Sequence, residues 1–412
     1  MFRNRGQEII TGLDIGTNTI KVLVALKKAE QEELEVLAQV KKNCFGVRRG
    51  VVSKPEKVAE IIKLAIEEAQ NLSGQRIKRV FFNINGSHMS AIFSRGTIAV
   101  SRADKRISEE DKERVIRQAV QSVNLSSNQE IIDSFPKEFI VDGKGGIKEI
   151  LGMEGIRLEA EVLLLCAFVP SLHNLKKAIQ YSELQPAGIQ FSPIAAAKSV
   201  LTPQQKELGV ALVDIGAETT GLAIFEEENL IHSAIFPIGS ANITQDIAIG
   251  FKCDIDLAEK IKQEFGTCLP KKEKGEKYKR DKIKVPDSLI FSRKILNAII
   301  GARVSEIFDQ IDQELKKVSR QKSLPVGIVF TGGGAKLSQI VELAKKELKL
   351  PARVGKPKCF IGLEEDPSLA TVCGLVLEGL DSDSEKSFSD FNVGRGKEIF
   401  SRVKDWFRNF IP

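Results

Sequence analysis

Leu13-Asp14-Ile15-Gly16-Thr17-Asn18-Thr19 near the N-terminus returns at mid-chain as Val213-Asp214-Ile215-Gly216-Ala217-Glu218-Thr219. Each copy follows an apolar run and leads into another, at 20–26 and 222–225. Strand, Asp-x-Gly-x-x-Thr turn, strand describes a β-hairpin suited to phosphate. Glycine lets the backbone approach the anion, consecutive N–H groups form a nest, and hydroxyls add donors. An aspartate repels phosphate, so Asp14 and Asp214 are expected to hold a hydrated Mg²⁺ that bridges it. One such hairpin means little. Two predict a two-lobed clamp that grips a polyphosphate from both sides.

The rest of the chain is compatible with that clamp. At 412 residues it is long enough for two or more cored domains. Its 42% hydrophobic and 28% charged content is that of an ordinary globular protein. Cys44, Cys166, Cys253, Cys268, Cys359 and Cys373 lack CxxC spacing, which predicts reduced thiols and neither a metal site nor a disulfide framework. The start lacks a signal peptide's apolar stretch and no segment approaches 18 apolar residues, so a cytoplasmic body is expected. A dispersed net charge of +6 is too mild to imply nucleic acid. His88, His173 and His232 form no triad or ligand cluster in sequence.

Helical periodicity is expected at 55–71, 108–123 (capped by Ser108), 171–181, 195–201, 257–265 and 292–318. Strands are expected at 79–84, 97–100, 161–168 and 326–330, beside the hairpins 8–26 and 210–225. Strands alternating with helices predict an α/β protein. Residues 270–286 are dense in lysine and read as a solvated loop. Residues 381–396, with Ser382, Ser384, Ser387, Ser389 and four acidic side chains, read as a flexible linker.

After the strand at 326–330 comes Thr331-Gly332-Gly333-Gly334-Ala335, with a helix expected to follow. Three glycines let a backbone lie flat against a ligand, with the helix N-terminus adding its dipole. A plain tight turn is the alternative. Beside two phosphate hairpins, Gly332, Gly333, Gly334 and Ala335 become the natural adenosine-side loop. Neither GxxxxGK[ST] nor GxGxxG occurs.

Two DxGxxT hairpins, a late TGGGA loop, and connectors at Pro193-Ile194-Ala195-Ala196-Ala197 and Pro367-Ser368-Leu369-Ala370-Thr371-Val372-Cys373-Gly374 resemble the superfamily of actin, sugar kinases and heat-shock chaperone ATPases. Within it, nearly the whole chain resembles the FtsA family of bacterial cell-division proteins. Supporting text includes Gly152-Met153-Glu154-Gly155-Ile156-Arg157-Leu158-Glu159-Ala160 and Phe236-Pro237-Ile238-Gly239-Ser240. The resemblance implies ATP with Mg²⁺ in a central cleft, head-to-tail filaments, and tethering of FtsZ to the membrane among other division proteins. It also implies subdomains at 1–83 (with 168–205 and 360–380), 84–167 (the inserted one), 206–239 (with 325–359) and 240–324. By position, Gly16, Thr17, Asn18, Lys21, Gly216, Ala217, Glu218 and Thr219 would line the nucleotide. Glu259 and Lys262 would approach ribose and adenine; an exposed charged face, or a capping pair of Asp256 with Glu259, are the alternatives.

Some positions depart from the family's pattern. Ala217 and Glu218 replace glycines, and Gly221 replaces an aspartate. An inward Glu218 carboxylate would repel a γ-phosphate, although its N–H can still donate. Ser192 stands where relatives often carry a water-orienting Gln or Glu. Both losses predict nucleotide binding with slow or absent turnover, and no catalytic residue is assigned.

The last segment, 397–412, carries a separate signal. At about 100° per residue, Ile399, Phe400, Val403, Trp406, Phe407, Phe410 and Ile411 fall within roughly 140° of arc, with Lys397, Arg402, Lys404 and Arg408 elsewhere. Too short to span a bilayer, such a helix suits the headgroup region of an anionic membrane; the resemblance implies the cytoplasmic membrane at the division septum. Docking on its own domain is the alternative, which the polar stretch ahead disfavours. The resemblance further points to Arg293, Lys294, Asn297 and Arg303 for an acidic FtsZ C-terminal peptide, against a merely solvated basic face. Rival functions are a PilM-like pilus-assembly ATPase, disfavoured by the tethered tail, and a small-molecule kinase, for which Ser192 and Gly221 leave no acceptor-activating carboxylate. A chaperone lacks its peptide-binding β-domain here.

Overall fold

The computed structural model describes residues 7–29, 31–269, 282–284 and 290–389. Its frame is one strand plan used twice. In the first lobe, Gln7–Ile15 pairs antiparallel with Thr19–Lys28, which pairs with Leu34–Asn43; on the other side come parallel Arg79–Ile84 and Gln185–Phe191. In the second, Val210–Ile215 pairs with Thr220–Glu226 and this with Asn229–Phe236, while Gly327–Thr331 and Ala352–Val354 extend the sheet in parallel. The hairpins share one register: Asp14 faces Lys21 and Ile15 faces Ile20, as Asp214 faces Gly221 and Ile215 faces Thr220. Strand Phe360–Ile361 completes the first sheet beside Leu34–Asn43.

These strands form because their residues have apolar neighbours on both faces. Leu13, Ile20, Val22 and Val24 are buried under helix Pro55–Ser73, as are Val213, Ile215, Leu222 and Ile224 under helices of the second lobe. Helix Pro55–Ser73 is started by its proline, whose missing N–H costs nothing at a first turn, and ends at Gly74 with φ 65°.

The lobes are joined by two crossing helices. Ser192–Val200 follows one sheet, and Ala370–Ser389 continues from the 3₁₀ turn Pro367–Leu369. A Cβ at Gly374 would sit 1.7 Å from the carbonyl oxygen of Ala195, so only glycine permits this crossing. The longer helix extends to Ser389 and so covers the first part of the stretch expected as a linker. Polar composition does not by itself forbid a helix. The remainder of the linker and the segment 397–412, with Ile399, Phe400, Val403, Trp406, Phe407, Phe410 and Ile411, lie outside the described residues.

An inserted unit interrupts the first lobe. Met89–Ala99, Arg157–Phe168, Gln129–Val141 and Lys144–Ile147 form an antiparallel sheet with its own core, covered by helix Glu109–Ser122. That helix opens with the Ser108–Asp111 capping box, as the Ser108 cap predicted. Helices Ser240–Phe251, Ile255–Phe265 and Arg293–Lys317 make a smaller unit on the second lobe, where Phe251 stacks on Phe291 with centroids 5.0 Å apart. Within the lysine-dense stretch, Lys282–Lys284 pairs with Ile290–Ser292, so part of it is strand and not loop.

Candidate functional site

The two hairpin turns close alike. Gly16 N–H donates to the Thr19 carbonyl at 3.1 Å, and Gly216 N–H to the Thr219 carbonyl at 2.8 Å. Both turns abut the cleft between the lobes, and side chains cross between them. Asn85 Nδ2 donates to Thr219 Oγ1 at 3.3 Å, and Arg49 N–H donates to Glu218 Oε2 at 2.7 Å. Glu218 therefore reaches toward the opposite lobe. Thr17 Oγ1 accepts from Gly50 N–H at 3.1 Å, and the Asn18 carbonyl accepts from Cys44 N–H at 2.8 Å.

Behind the turns lie the two aspartates, in different company. Asp14 accepts from Lys21 Nζ at 2.7 Å and from Asn83 Nδ2 at 2.9 Å, all in a buried environment. Burial lowers the Lys21 pKa more than any other single influence, but Asp14, aided by Asp214 and Asp366, outweighs it and the net shift is upward. Among the described residues, Asp214 is hydrogen-bonded by the Thr371 hydroxyl alone, at 3.1 Å. Burial and then the nearby Asp14 charge raise its pKa from 3.8 to about 6. Two carboxylates that feel each other's charge, one of them without a cationic side chain bonded to it, form a place that a divalent cation would stabilise. The donors are oxygens, as Mg²⁺ prefers, and few enough for phosphate and water to complete its shell. Among the described residues no group of three or more His, Cys, Asp or Glu side chains is gathered to hold a metal by itself.

The glycine run proves to be divided in role. Gly332 has φ 83°, and a Cβ there would meet Asp214 Oδ1 at 2.2 Å; one at Gly334 would meet Ile215 Cγ2 at 2.3 Å. Those two glycines permit the loop to pack on the second hairpin. Gly333 alone has open space, so it is the position left for a ligand. The run leads into a short 3₁₀ turn, Gly333–Lys336, that includes Ala335, and the helix proper waits until Ile340. The expected helix dipole at this loop is thus missing, because Gln339 breaks the path with φ 64°.

Glu259 and Lys262 lie on helix Ile255–Phe265 as expected, but neither bland alternative describes them. Lys262 is buried, its Nζ donating to the Ser240 carbonyl at 3.0 Å and Thr244 Oγ1 at 2.9 Å, with Glu259 at 2.7 Å. Glu259 accepts from Thr244, Lys262 and Gln263, and the helix cap is Asp254 instead of Asp256. Ser240 N–H in turn donates to the Gly216 carbonyl at 2.9 Å, so this cluster ends on the second hairpin.

Of the four peptide-contact candidates, Arg293 and Lys294 are exposed at the start of their helix. Arg303 is held by Asp246 through Nε at 2.7 Å and Nη2 at 2.9 Å, and by Glu306. Asn297 is corrected: it is buried, its Oδ1 has no hydrogen-bond partner among the described residues, and it does not share a solvent face with Arg293. One helical turn separates them, but the helix packs on its own core along that side.

Asn83 and Thr371, which position the aspartates, were missed from sequence. A polar side chain next to last in the apolar strand Arg79–Ile84 was the available signal for Asn83. Its amide also donates to Ser192 Oγ at 2.9 Å, and Ser192 donates to the Ile84 carbonyl at 3.2 Å. The Ser192 departure is thereby explained as a strut beneath Asp14. The Gly221 departure has a packing cause, since a Cβ there would meet Pro193 Cγ at 2.6 Å. His232 pairs with Glu314 at 2.7 Å, well away from any triad.

Comparison with known proteins agrees with this architecture. The family model for cell division protein FtsA matches residues 211–374, and that for the SHS2 domain inserted in FtsA matches 86–166. The cell division protein FtsA of Pseudomonas aeruginosa is 34% identical over 97% of each chain. The cell division protein FtsA of Bacillus subtilis is 32% identical, over 90% of this chain and 83% of its own. Among solved structures, a PilM–PilN type IV pilus biogenesis complex chain aligns with TM-score 0.65 at 18% identity, covering 90% of this chain and 98% of that one. MreB5 of Spiroplasma citri bound to ADP aligns with TM-score 0.52 at 13% identity, covering 94% and 99%. The solved structures establish the actin-like fold, and the sequence relatives decide within it: the chain belongs to the FtsA family of cell-division proteins.

Proposed function

We propose that this chain binds ATP with Mg²⁺ between its lobes, assembles into filaments, and tethers FtsZ to the cytoplasmic face of the membrane at the division septum. The observation that carries the nucleotide part is the pair of identically closed hairpins with Asp14 and Asp214 behind them. Gly16, Thr17, Asn18, Gly216, Ala217, Glu218 and Thr219 would present backbone donors and hydroxyls to the phosphates. Asp14 and Asp214 would hold the Mg²⁺, whose charge shields the phosphates, with Lys21 hydrogen-bonded to Asp14 beside it. Gly333 and the neighbouring Ala335 would face the adenosine, with Lys262 and Glu259 shaping the ribose side from their place under Ser240. Nucleotide in the MreB5 structure, bound to ADP, supports this reading. With Ser192 bound to Asn83 and Ile84, turnover is slow or absent.

The subdomain plan offered is the one the resemblance implies, with the inserted unit at 84–167 and the helical unit at 240–324. Arg293, Lys294 and Arg303 are the residues offered to an acidic FtsZ tail. Membrane attachment is assigned to 397–412 on its sequence pattern. No described helix is long and apolar enough to cross a membrane. A single surface helix binds weakly, so filament avidity would multiply it.

The test is co-sedimentation with anionic liposomes and ATP, with and without residues 397–412, adding an FtsZ C-terminal peptide. Pelleting that recruits the peptide and is lost on truncation supports the tether. ATP binding without lipid or peptide binding would return the pilus or kinase readings.

A further inference from the structure

The departure at Glu218 has a structural setting that makes it more than a lost glycine. Strands Val47–Arg48 and Val51–Val52 form a miniature hairpin whose two-residue turn is Arg49-Gly50. Both residues have positive φ, 50° and 76°, the pattern of a type I′ turn. The N–H groups at such a turn's centre take no part in the strand ladder, so they are free for an outside acceptor. Here Gly50 N–H donates to Thr17 on the first phosphate hairpin, at 3.1 Å. Arg49 N–H donates to the Glu218 carboxylate on the second, at 2.7 Å. One turn thus touches both hairpins with adjacent amides, and the anion it holds is a protein carboxylate.

The turn has little room to move aside. A Cβ on Gly50 would lie 2.8 Å from the Gly86 nitrogen, so the turn is wedged against the 85–86 loop. That loop sends Asn85 to Thr219, giving a second hydrogen bond between the lobes beside the first. Glu218 consequently rests its carboxylate between the second hairpin and the Arg49-Gly50 turn that also touches the first.

We propose that Glu218 sets the phosphate-length preference of the closed cleft, its carboxylate competing with a terminal phosphate for the amide of Arg49 and so favouring a nucleoside diphosphate over a triphosphate. This rests on the nucleotide-binding reading above. A diphosphate brings its charge to the backbone amides and the cation without reaching the turn. A triphosphate places a further anion beside Glu218, and it must displace the carboxylate or bear the repulsion.

The test measures the affinities of ADP and the non-hydrolysable analogue AMPPNP, each with Mg²⁺, for the full chain and for Glu218→Gln and Glu218→Ala. Glutamine keeps an oxygen to accept from Arg49 N–H but removes the charge; alanine removes both. The expected result is a rise of about tenfold in AMPPNP affinity relative to ADP in both variants, the size of one nearby like charge at a protein surface. An unchanged ratio in Glu218→Gln, confirmed folded by its melting curve, overturns the proposal and leaves Glu218 as a structural strut. If the parent chain binds neither nucleotide, the nucleotide reading itself falls and this proposal with it.

Discussion

The two DxGxxT hairpins share a register and a turn closure, yet their aspartates differ electrically. Asp14 is held by Lys21 and Asn83, whereas among the described residues Asp214 has Thr371 alone, and its pKa is raised to about 6. The register shows why. The residue opposite Asp14 is Lys21, while the one opposite Asp214 is Gly221, with Pro193 filling the space a side chain would need. A repeated backbone motif is therefore not a repeated charge site. The first hairpin carries its own counter-ion, and the second does not.

Removing the first hairpin's counter-ion should break this contrast most severely. Lys21→Met leaves Asp14 buried and uncompensated beside Asp214, with an expected loss of about 3–5 kcal/mol by urea denaturation. Unchanged stability would mean that solvent, and not Lys21, carries the balance.

Asp214→Asn tests the other side with the opposite sign. A carboxyl whose folded pKa is raised loses stabilisation as pH climbs through that value. The metal-free parent should therefore be most stable, on this account, below pH 4 and decline through pH 6. The asparagine variant should lack this decline and gain up to about 3 kcal/mol at pH 7, while Mg²⁺-dependent nucleotide binding weakens. Destabilisation at neutral pH would place Asp214 in the same class as Asp14.

The glycine loop sharpens the contrast at a finer scale. Gly332→Ala combines a left-handed backbone with a clash against Asp214 and is expected to cost about 2 kcal/mol or more. Gly333→Ala should leave the melting temperature close to that of the parent and lower nucleotide affinity only. Equal melting shifts in the two would refute the division of roles within the run. Thr371→Val has the smallest effect, about 1 kcal/mol for the single hydroxyl that bonds Asp214, visible as a further rise in that group's titration.

Much of the frame was readable because local pattern and burial agree. Both hairpins, helix Pro55–Ser73 and helix Arg293–Lys317 follow from apolar spacing and caps. Strands Leu34–Asn43, Gln129–Val141 and Asn229–Phe236 were not anticipated, since each is partly solvated and carries charged or polar residues among its apolar ones. Helix Ser240–Phe251 was missed as well: its start is set by Gly239 wedged against Ala217, a contact that only the fold makes. In the site, backbone-defined members were legible and the supporting side chains were not. Asn83 and Asp14 are 69 residues apart in sequence, and Thr371 and Asp214 are 157 apart.

Residue order alone shows that there are two DxGxxT hairpins, that a glycine loop follows an apolar strand, and that the chain resembles FtsA. Those features depend on backbone conformation and short-range spacing, which adjacent residues dictate. Only the tertiary structure decided which aspartate is neutralised, which glycine is free, and where the Glu218 carboxylate rests. Each of those depends on distant segments brought within bonding reach, where burial strengthens charge interactions that an extended chain would lose to water.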